Sequence, residues 1–185
     1  MRLALKSLRW QCWRHGRGFG VHSPFAYRFI TETLRERCPY YAYDRLEALG
    51  RREGPQWLTP RLIRLIFRII NRFQPEAVAV AGSEGLSVIR AIACAVRRDT
   101  GFRTAAAGAP LVIVTDIGSE VITPSADGVT PAVWVFPCLA LDGARACYDA
   151  LTASLTCGQS FADPRGRAVV VIDPKLPRQH FDVKF

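Results

Sequence analysis

The sequence contains few of the residues that build metal centres or disulfide frameworks. Its six cysteines are scattered over 185 residues without a Cys-x-x-Cys pair. It has only three histidines, and none lies at metal-ligand spacing from a cysteine. We therefore predict no metal site, and we expect the cysteines to be the reduced thiols of a cytoplasmic protein.

Long apolar runs are also absent. The longest, Leu62 to Ile70, is interrupted by Arg64 and Arg68, whereas a membrane-spanning helix needs about 20 apolar residues. The first residues are basic and amphipathic, and they lack the apolar run and cleavage site of a signal peptide. We expect no transmembrane segment, and peripheral membrane attachment by residues 1–14 remains an alternative.

Lysine is scarce in a chain that is nevertheless basic. Lys6, Lys175 and Lys184 are the only lysines, although the formal net charge is +9. The excess belongs to residues 1–72, which hold 15 basic and 5 acidic residues. Arginine can hold a phosphate through two parallel hydrogen bonds, so nucleic acid is one partner that this region could bind. The other interpretation is a solvated helical surface, since no nucleic-acid-binding motif accompanies the charge.

The first third of the chain has helical patterns. Ser23-Pro24 and Thr59-Pro60 each place a capping residue before a proline, which is typical of a helix start. Apolar residues from Leu62 to Phe73 then recur with helical spacing. We predict that residues 1–74 form a helical N-terminal cap packed on the rest of the chain, residues 75–185, in one structural unit.

The pattern changes after Pro75 to short apolar strands alternating with helices. This alternation predicts an α/β fold with a mainly parallel sheet and helices on both faces. Residues 99–110 are predicted to be a loop, Asp142 to cap a helix, and the last two strands to form a hairpin. The predicted strands are Ala77–Ala81, Leu111–Thr115, Ala132–Phe136, Ala168–Ile172 and His180–Phe185. So few strands indicate a shortened sheet, and homodimerisation could cover its exposed face.

The stretch from Val78 to Ser87 predicts a buried strand that turns through Gly82 and Gly85 into a helix. Such a turn lets backbone N–H groups approach a ligand, and the Ser83 hydroxyl could add a contact. Strand-to-helix turns also use glycine and serine for steric reasons alone. The spacing is not Gly-x-Gly-x-x-Gly, and no Walker lysine follows. Asp116, at the end of a later apolar strand, could bind a ribose or simply form a turn.

Other candidate residues lie in the helical third. His22 could contact a substrate or fix its loop by hydrogen bonds. Tyr40, Tyr41 and Tyr43 could line a pocket or pack the helices on the sheet. No Ser-His-Asp or Cys-His arrangement can be argued from the sequence positions.

Several stretches together resemble a group of bacterial class I S-adenosylmethionine-dependent methyltransferase-like proteins. They are residues 18–25 (GFGVHSPF), 39–43 (PYYAY), 78–87, 132–136 and 176–185. The resemblance implies a Rossmann-like methyltransferase sheet, mainly parallel with a C-terminal antiparallel strand, preceded by a helical cap. It implies S-adenosylmethionine as the cofactor, bound by Ala81, Gly82, Ser83, Gly85 and Asp116, and a substrate pocket that includes His22, Tyr40 and Tyr41.

The chain departs from that family at two places. Ala79 and Ala81 stand where the family has an acidic residue and a glycine, and the stretch 99–131 is short for two strand–helix units. These departures favour a methyltransferase-like protein with weak or no activity. The alternatives are an active methyltransferase of unknown substrate and an arginine-rich module that binds nucleic acid or protein.

Overall fold

A computed structural model describes residues 20–103, 105–118 and 131–185 of the chain. The basic, amphipathic residues 1–14, for which peripheral membrane attachment is an alternative, lie outside these ranges. The helices are α1 (Pro24–Arg28), α2 (Tyr43–Glu53), α3 (Pro60–Phe73), α4 (Leu86–Val96) and α5 (Ala144–Ser154). A π-helical segment, Phe29–Leu34, continues α1 directly.

Local sequence explains where the first helices begin. Ser23 caps α1, because its hydroxyl accepts a hydrogen bond from the Ala26 N–H at 3.2 Å. Pro24 and Pro60 each occupy the start of a helix, as predicted. Thr59 precedes α3 without a side-chain capping bond. Helix α3 buries seven apolar side chains. So broad an apolar face must pack against a sheet or against other helices.

Seven strands form one mixed sheet in the order β2-β1-β3-β4-β6-β5-β7. They are β1 (Ala77–Ala81), β2 (Gly101–Arg103), β3 (Leu111–Val114), β4 (Ala132–Phe136), β5 (Gln159–Asp163), β6 (Arg167–Ile172) and β7 (Gln179–Asp182). Strand β6 is antiparallel to its neighbours β4 and β5, and every other pairing is parallel. The prediction of an α/β fold with a mostly parallel sheet is confirmed.

The structure corrects four details. The final hairpin joins β5 and β6, whereas β7 pairs in parallel with β5. Residues 99–110, predicted as a loop, contain β2. Helix α5 is preceded by Gly143, with φ +72°, and Asp142 is not its cap. The sheet has seven strands, so it is not short in strand number.

Two apolar clusters lie on opposite faces of the sheet. Alternate strand residues point to alternate faces, so Val78 and Val80 belong to one cluster while Ala79 and Ala81 belong to the other. The first cluster includes side chains from helices α1 to α4, and the second packs against α5. The helices of the cap therefore share a core with the sheet.

Within the described ranges, no helix is long and apolar enough to span a membrane. The five cysteines described there form no disulfide with one another. Homodimerisation remains a prediction. It is inferred from a shortened sheet, whereas the observed sheet has seven strands.

Candidate functional site

Strand β1 marks the place where the order of the sheet reverses. The chain passes from β1 to β2 on one side and later to β3 on the other. Open α/β sheets bind ligands beyond the carboxyl ends of their strands at such a reversal. The turn after β1 and the residues after β3 meet at this edge, which makes the turn from Gly82 to Gly85, with Asp116, the candidate site.

Gly82 is packed directly against the end of β3. Its φ is +106°, and a Cβ atom there would lie 2.3 Å from the Asp116 carbonyl oxygen and 2.4 Å from Thr115 Oγ1. Thr115 also donates two hydrogen bonds to the Ala81 carbonyl, from its N–H at 2.8 Å and its hydroxyl at 3.1 Å. The backbones of the two strand ends therefore fill the space between them, and this contact alone requires a glycine at position 82.

Gly85 is covered by a segment of the cap. It precedes α4 with φ +74°, and a Cβ atom there would lie 3.4 Å from Pro55 and 3.5 Å from Leu58. The Trp57 indole donates a 2.7 Å hydrogen bond to Glu84, which fastens the same segment to the turn. The α4 N-terminus itself has no side-chain cap. Internal packing thus accounts for Gly82, and the left-handed backbone of the turn accounts for Gly85.

The remaining polar candidates at this edge make few contacts. Ser83 is exposed. Asp116 Oδ1 accepts a 3.2 Å hydrogen bond from the Gly118 N–H, which is a local turn. Asp116 follows β3, which lies on one side of β1, whereas β2 lies on the other side. In a dinucleotide-binding sheet the ribose-binding acid follows the second strand. In this chain the second strand, β2, ends with Arg103.

The residues predicted for a substrate pocket do not join the turn. His22 is exposed and precedes Ser23, whose hydroxyl accepts a hydrogen bond from Gln159 at the amino end of β5. It therefore lies at the opposite edge of the sheet from Gly82. Tyr41 is 88% exposed, and its hydroxyl donates to the Ala95 carbonyl near the C-terminus of α4. That contact is about 14 Å along the helix from the turn.

Tyr40 packs within the cap. Its ring centroid lies 5.3 Å from that of Tyr43 and 5.0 Å from that of Phe67, and its hydroxyl donates to Glu36. Burial and the neighbouring Glu36 carboxylate raise the pKa of the Tyr40 hydroxyl. These contacts favour the packing interpretation for Tyr40.

The fold assembles a polar cluster that the sequence positions did not reveal. Ser160 Oγ lies 2.8 Å from His180 Nδ1, and His180 Nε2 lies 3.3 Å from Asp182 Oδ1. The residue types match a hydrolase triad, but Ser160 is only 3% exposed, and Tyr148 lines the same surface depression as Ser160 and His180. Burial raises the pKa of the Tyr148 hydroxyl, which keeps it neutral. We interpret the cluster as a structural link between β5, β7 and α5.

His180 and Asp182 could have been paired from the sequence, because residues two apart on a strand share a face. Ser160 could not, since the strand that carries it was not predicted. No group of three or more potential metal ligands occurs within residues 20–103, 105–118 and 131–185.

No protein-family model, no curated protein and no solved structure matches this chain.

Proposed function

We propose that the chain is a methyltransferase-like protein whose cofactor turn has become an internal packing contact. Its sheet is Rossmann-like, with a helical cap on one face. It binds S-adenosylmethionine weakly or not at all, and it acts by binding another molecule instead of transferring a methyl group. The alternative that we weigh against it is an active methyltransferase with a divergent pocket.

The contact between Gly82 and the end of β3 carries this proposal. A cofactor turn uses glycine so that its backbone can approach the ligand. Here the missing side chain of Gly82 makes room for Asp116 and Thr115. Pro55 and Leu58 lie over Gly85.

Two changes in sequence support the same conclusion. Ala79 is fully buried in β1, where the resembled family has the acidic residue that helps to hold the amino-acid end of the cofactor. The second strand ends in Arg103 and lacks the acid that would bind a ribose. The chain therefore has neither of the carboxylates on which cofactor binding would depend.

Isothermal titration calorimetry with S-adenosylmethionine and S-adenosylhomocysteine tests the proposal. We expect no binding in the micromolar range. A parallel thermal melt checks that the protein is folded. The melt would also detect a bound ligand, because a free ligand concentration of 100 times the Kd stabilises a protein by about 2.7 kcal/mol.

A micromolar Kd for either compound would overturn the proposal in favour of the active enzyme. Ser83→Ala would then serve as the matched variant. Ser83 is exposed, so the change should leave stability unaltered and weaken only a cofactor that the turn holds.

A further inference from the structure

A large cleft lies far from the Gly82 turn, at the carboxyl ends of β5 and β7. Its volume is about 1110 Å³. Five separate segments line it: the residues after the π-helical segment, the start of α2, one side of α3, the turn between β5 and β6, and the residues after β7. The cap and the sheet together therefore form this cleft.

The lining of the cleft is strongly cationic. Eight of its side chains are basic and only two, Glu36 and Asp163, are acidic. The basic residues are Arg35, Arg37, Arg61, Arg64, Arg68, Arg165, Arg167 and Lys184. Such an excess of one sign inside a concave surface concentrates the electrostatic potential and attracts anions.

The two carboxylates of the lining are already engaged by neighbouring groups. Asp163 accepts hydrogen bonds from the Arg167 guanidinium, from the Arg165 N–H at 2.8 Å and from the Phe185 N–H at 3.0 Å. Glu36 accepts from the Tyr40 hydroxyl at 3.0 Å. Asp163 is thus paired with Arg167, whereas Glu36 keeps its charge, and the eight basic side chains of the lining still outnumber its two carboxylates.

Four of the cationic side chains are exposed and make no polar contact with the described residues. The side chains of Arg37, Arg61, Arg165 and Lys184 have no hydrogen-bond or ion-pair partner in the part of the chain that the structure describes. Two others have structural partners: Arg64 pairs with Glu47, and Arg68 donates to the carbonyls of Thr33 and Leu34. Side chains of this kind can turn toward a ligand without breaking a hydrogen bond or an ion pair of the fold.

Arg167 is buried at the base of the cleft. Only 8% of the residue is exposed, and its buried Nε has no hydrogen-bond partner among the described residues. Burial lowers the pKa of Arg167, the pairing with Asp163 offsets part of this effect, and the nearby positive charges of Arg165 and Arg61 act in the same direction as burial. An anion in the cleft would relieve this repulsion.

We propose that this cleft binds a small ligand that carries two or more phosphate groups. Seven of the eight cations are arginine, whose planar guanidinium matches phosphate oxygens through two parallel hydrogen bonds. Several such groups around one space suit several phosphates. The cleft does not include the Gly82 turn, so this proposal does not rest on the proposed function above.

The shape of the cleft favours a small ligand over a nucleic acid. Its volume is comparable with that of small-molecule pockets, about 300–1,000 Å³. The Arg64 guanidinium lies 5.2 Å from the ring centroid of Tyr43, and that of Arg167 lies 5.5 Å from the ring centroid of Phe185. Both aromatic rings of the lining are thus in contact with arginine, whereas proteins that bind single-stranded nucleic acids combine a cationic groove with free rings on which bases stack.

Titration of the full chain with inorganic tripolyphosphate tests the proposal, at an ionic strength of about 150 mM, where weak surface attraction is screened. The double variant Arg61→Gln/Arg165→Gln should weaken binding about tenfold for each arginine removed. The matched control is Arg45→Gln/Arg98→Gln, which removes the same charge from exposed arginines outside the cleft. The control should bind within about twofold of the unmodified chain.

Titration with ATP distinguishes the source of the phosphates. Binding of tripolyphosphate and ATP with similar affinity supports recognition of the phosphates alone, and tighter binding of ATP supports a nucleotide ligand. Three results would overturn the proposal: no binding of either probe, equal weakening by the control variant, or displacement of tripolyphosphate by a far smaller concentration of single-stranded oligonucleotide. The last result would assign the cleft to nucleic acid.

Discussion

At the scale of single residues, the left-handed backbone of Gly82 allows the packing of the turn to be tested with one methyl group. Gly82→Ala should lower the free energy of unfolding by about 2–4 kcal/mol, because the new Cβ atom meets the Asp116 carbonyl at 2.3 Å and the φ of +106° disfavours any side chain. Chemical denaturation of both proteins measures this difference.

Gly108 provides the matched control for that experiment. Its φ is also positive, at +68°, but a Cβ atom there would meet nothing within 4 Å. Gly108→Ala should therefore cost only the conformational strain, about 1 kcal/mol. Equal effects at the two positions would contradict the packing interpretation of Gly82.

Gly82 and Gly85 also show what a local motif determines and what it leaves open. The positive φ of Gly82 and Gly85 could be predicted, because a strand-to-helix turn with two glycines favours it. What each glycine faces could not be predicted, since Asp116 and Pro55 are distant in sequence. The same motif is compatible with an open cofactor turn and with a filled one.

At the scale of elements, the start of α1 connects the cap to the sheet through one hydroxyl group. Ser23 Oγ accepts from the Ala26 N–H at 3.2 Å and from Gln159 Nε2 at 2.9 Å. Ser23→Ala should therefore destabilise the protein by about 1–2 kcal/mol. Thermal or chemical unfolding, followed by circular dichroism, measures the change.

Thr59→Ala is the control at the other proline-started helix. Thr59 occupies the capping position of α3 but makes no side-chain capping bond, so its replacement should cost less than the replacement of Ser23. A larger loss at Thr59 than at Ser23 would show that the described capping bonds do not determine the stability of these helices.

The elements that sequence patterns predicted well are the apolar ones. Strands β1 and β4 have the predicted bounds, and α3 lies where the patterns placed it. Strand β5 escaped prediction because polar residues occupy its buried positions: Gln159 is fully buried and Ser160 is 3% exposed. Their partners, Ser23 and His180, lie on other elements, so nothing local indicates that the Gln159 amide N–H and the Ser160 hydroxyl have hydrogen-bond partners.

At the scale of the whole molecule, the cap and the sheet are predicted to fold as one unit. One apolar cluster contains both the buried face of α3 and strand residues such as Val80 and Ile113. A chain restricted to residues 75–185 would expose these strand side chains, each of which gains about 1.5–3 kcal/mol from full burial. We expect this fragment to show no cooperative thermal transition.

Circular dichroism melting of the fragment and of the full chain, with binding of a hydrophobic dye, makes the comparison. The full chain should melt cooperatively and bind little dye. A fragment that melts as sharply as the full chain would show that the helices of the cap are dispensable for the fold of the sheet.

The sequence by itself determined the class of fold, because strand and helix periodicity, proline starts and glycine turns are local properties of the chain. Tertiary structure alone decided the pairing of β5 with β7, the packing of Gly82 on Asp116 and the gathering of Arg61 and Arg165 in one cleft. Each of these joins residues that are remote in sequence. Their meeting depends on the order of strands in the sheet, which burial patterns along the chain do not encode.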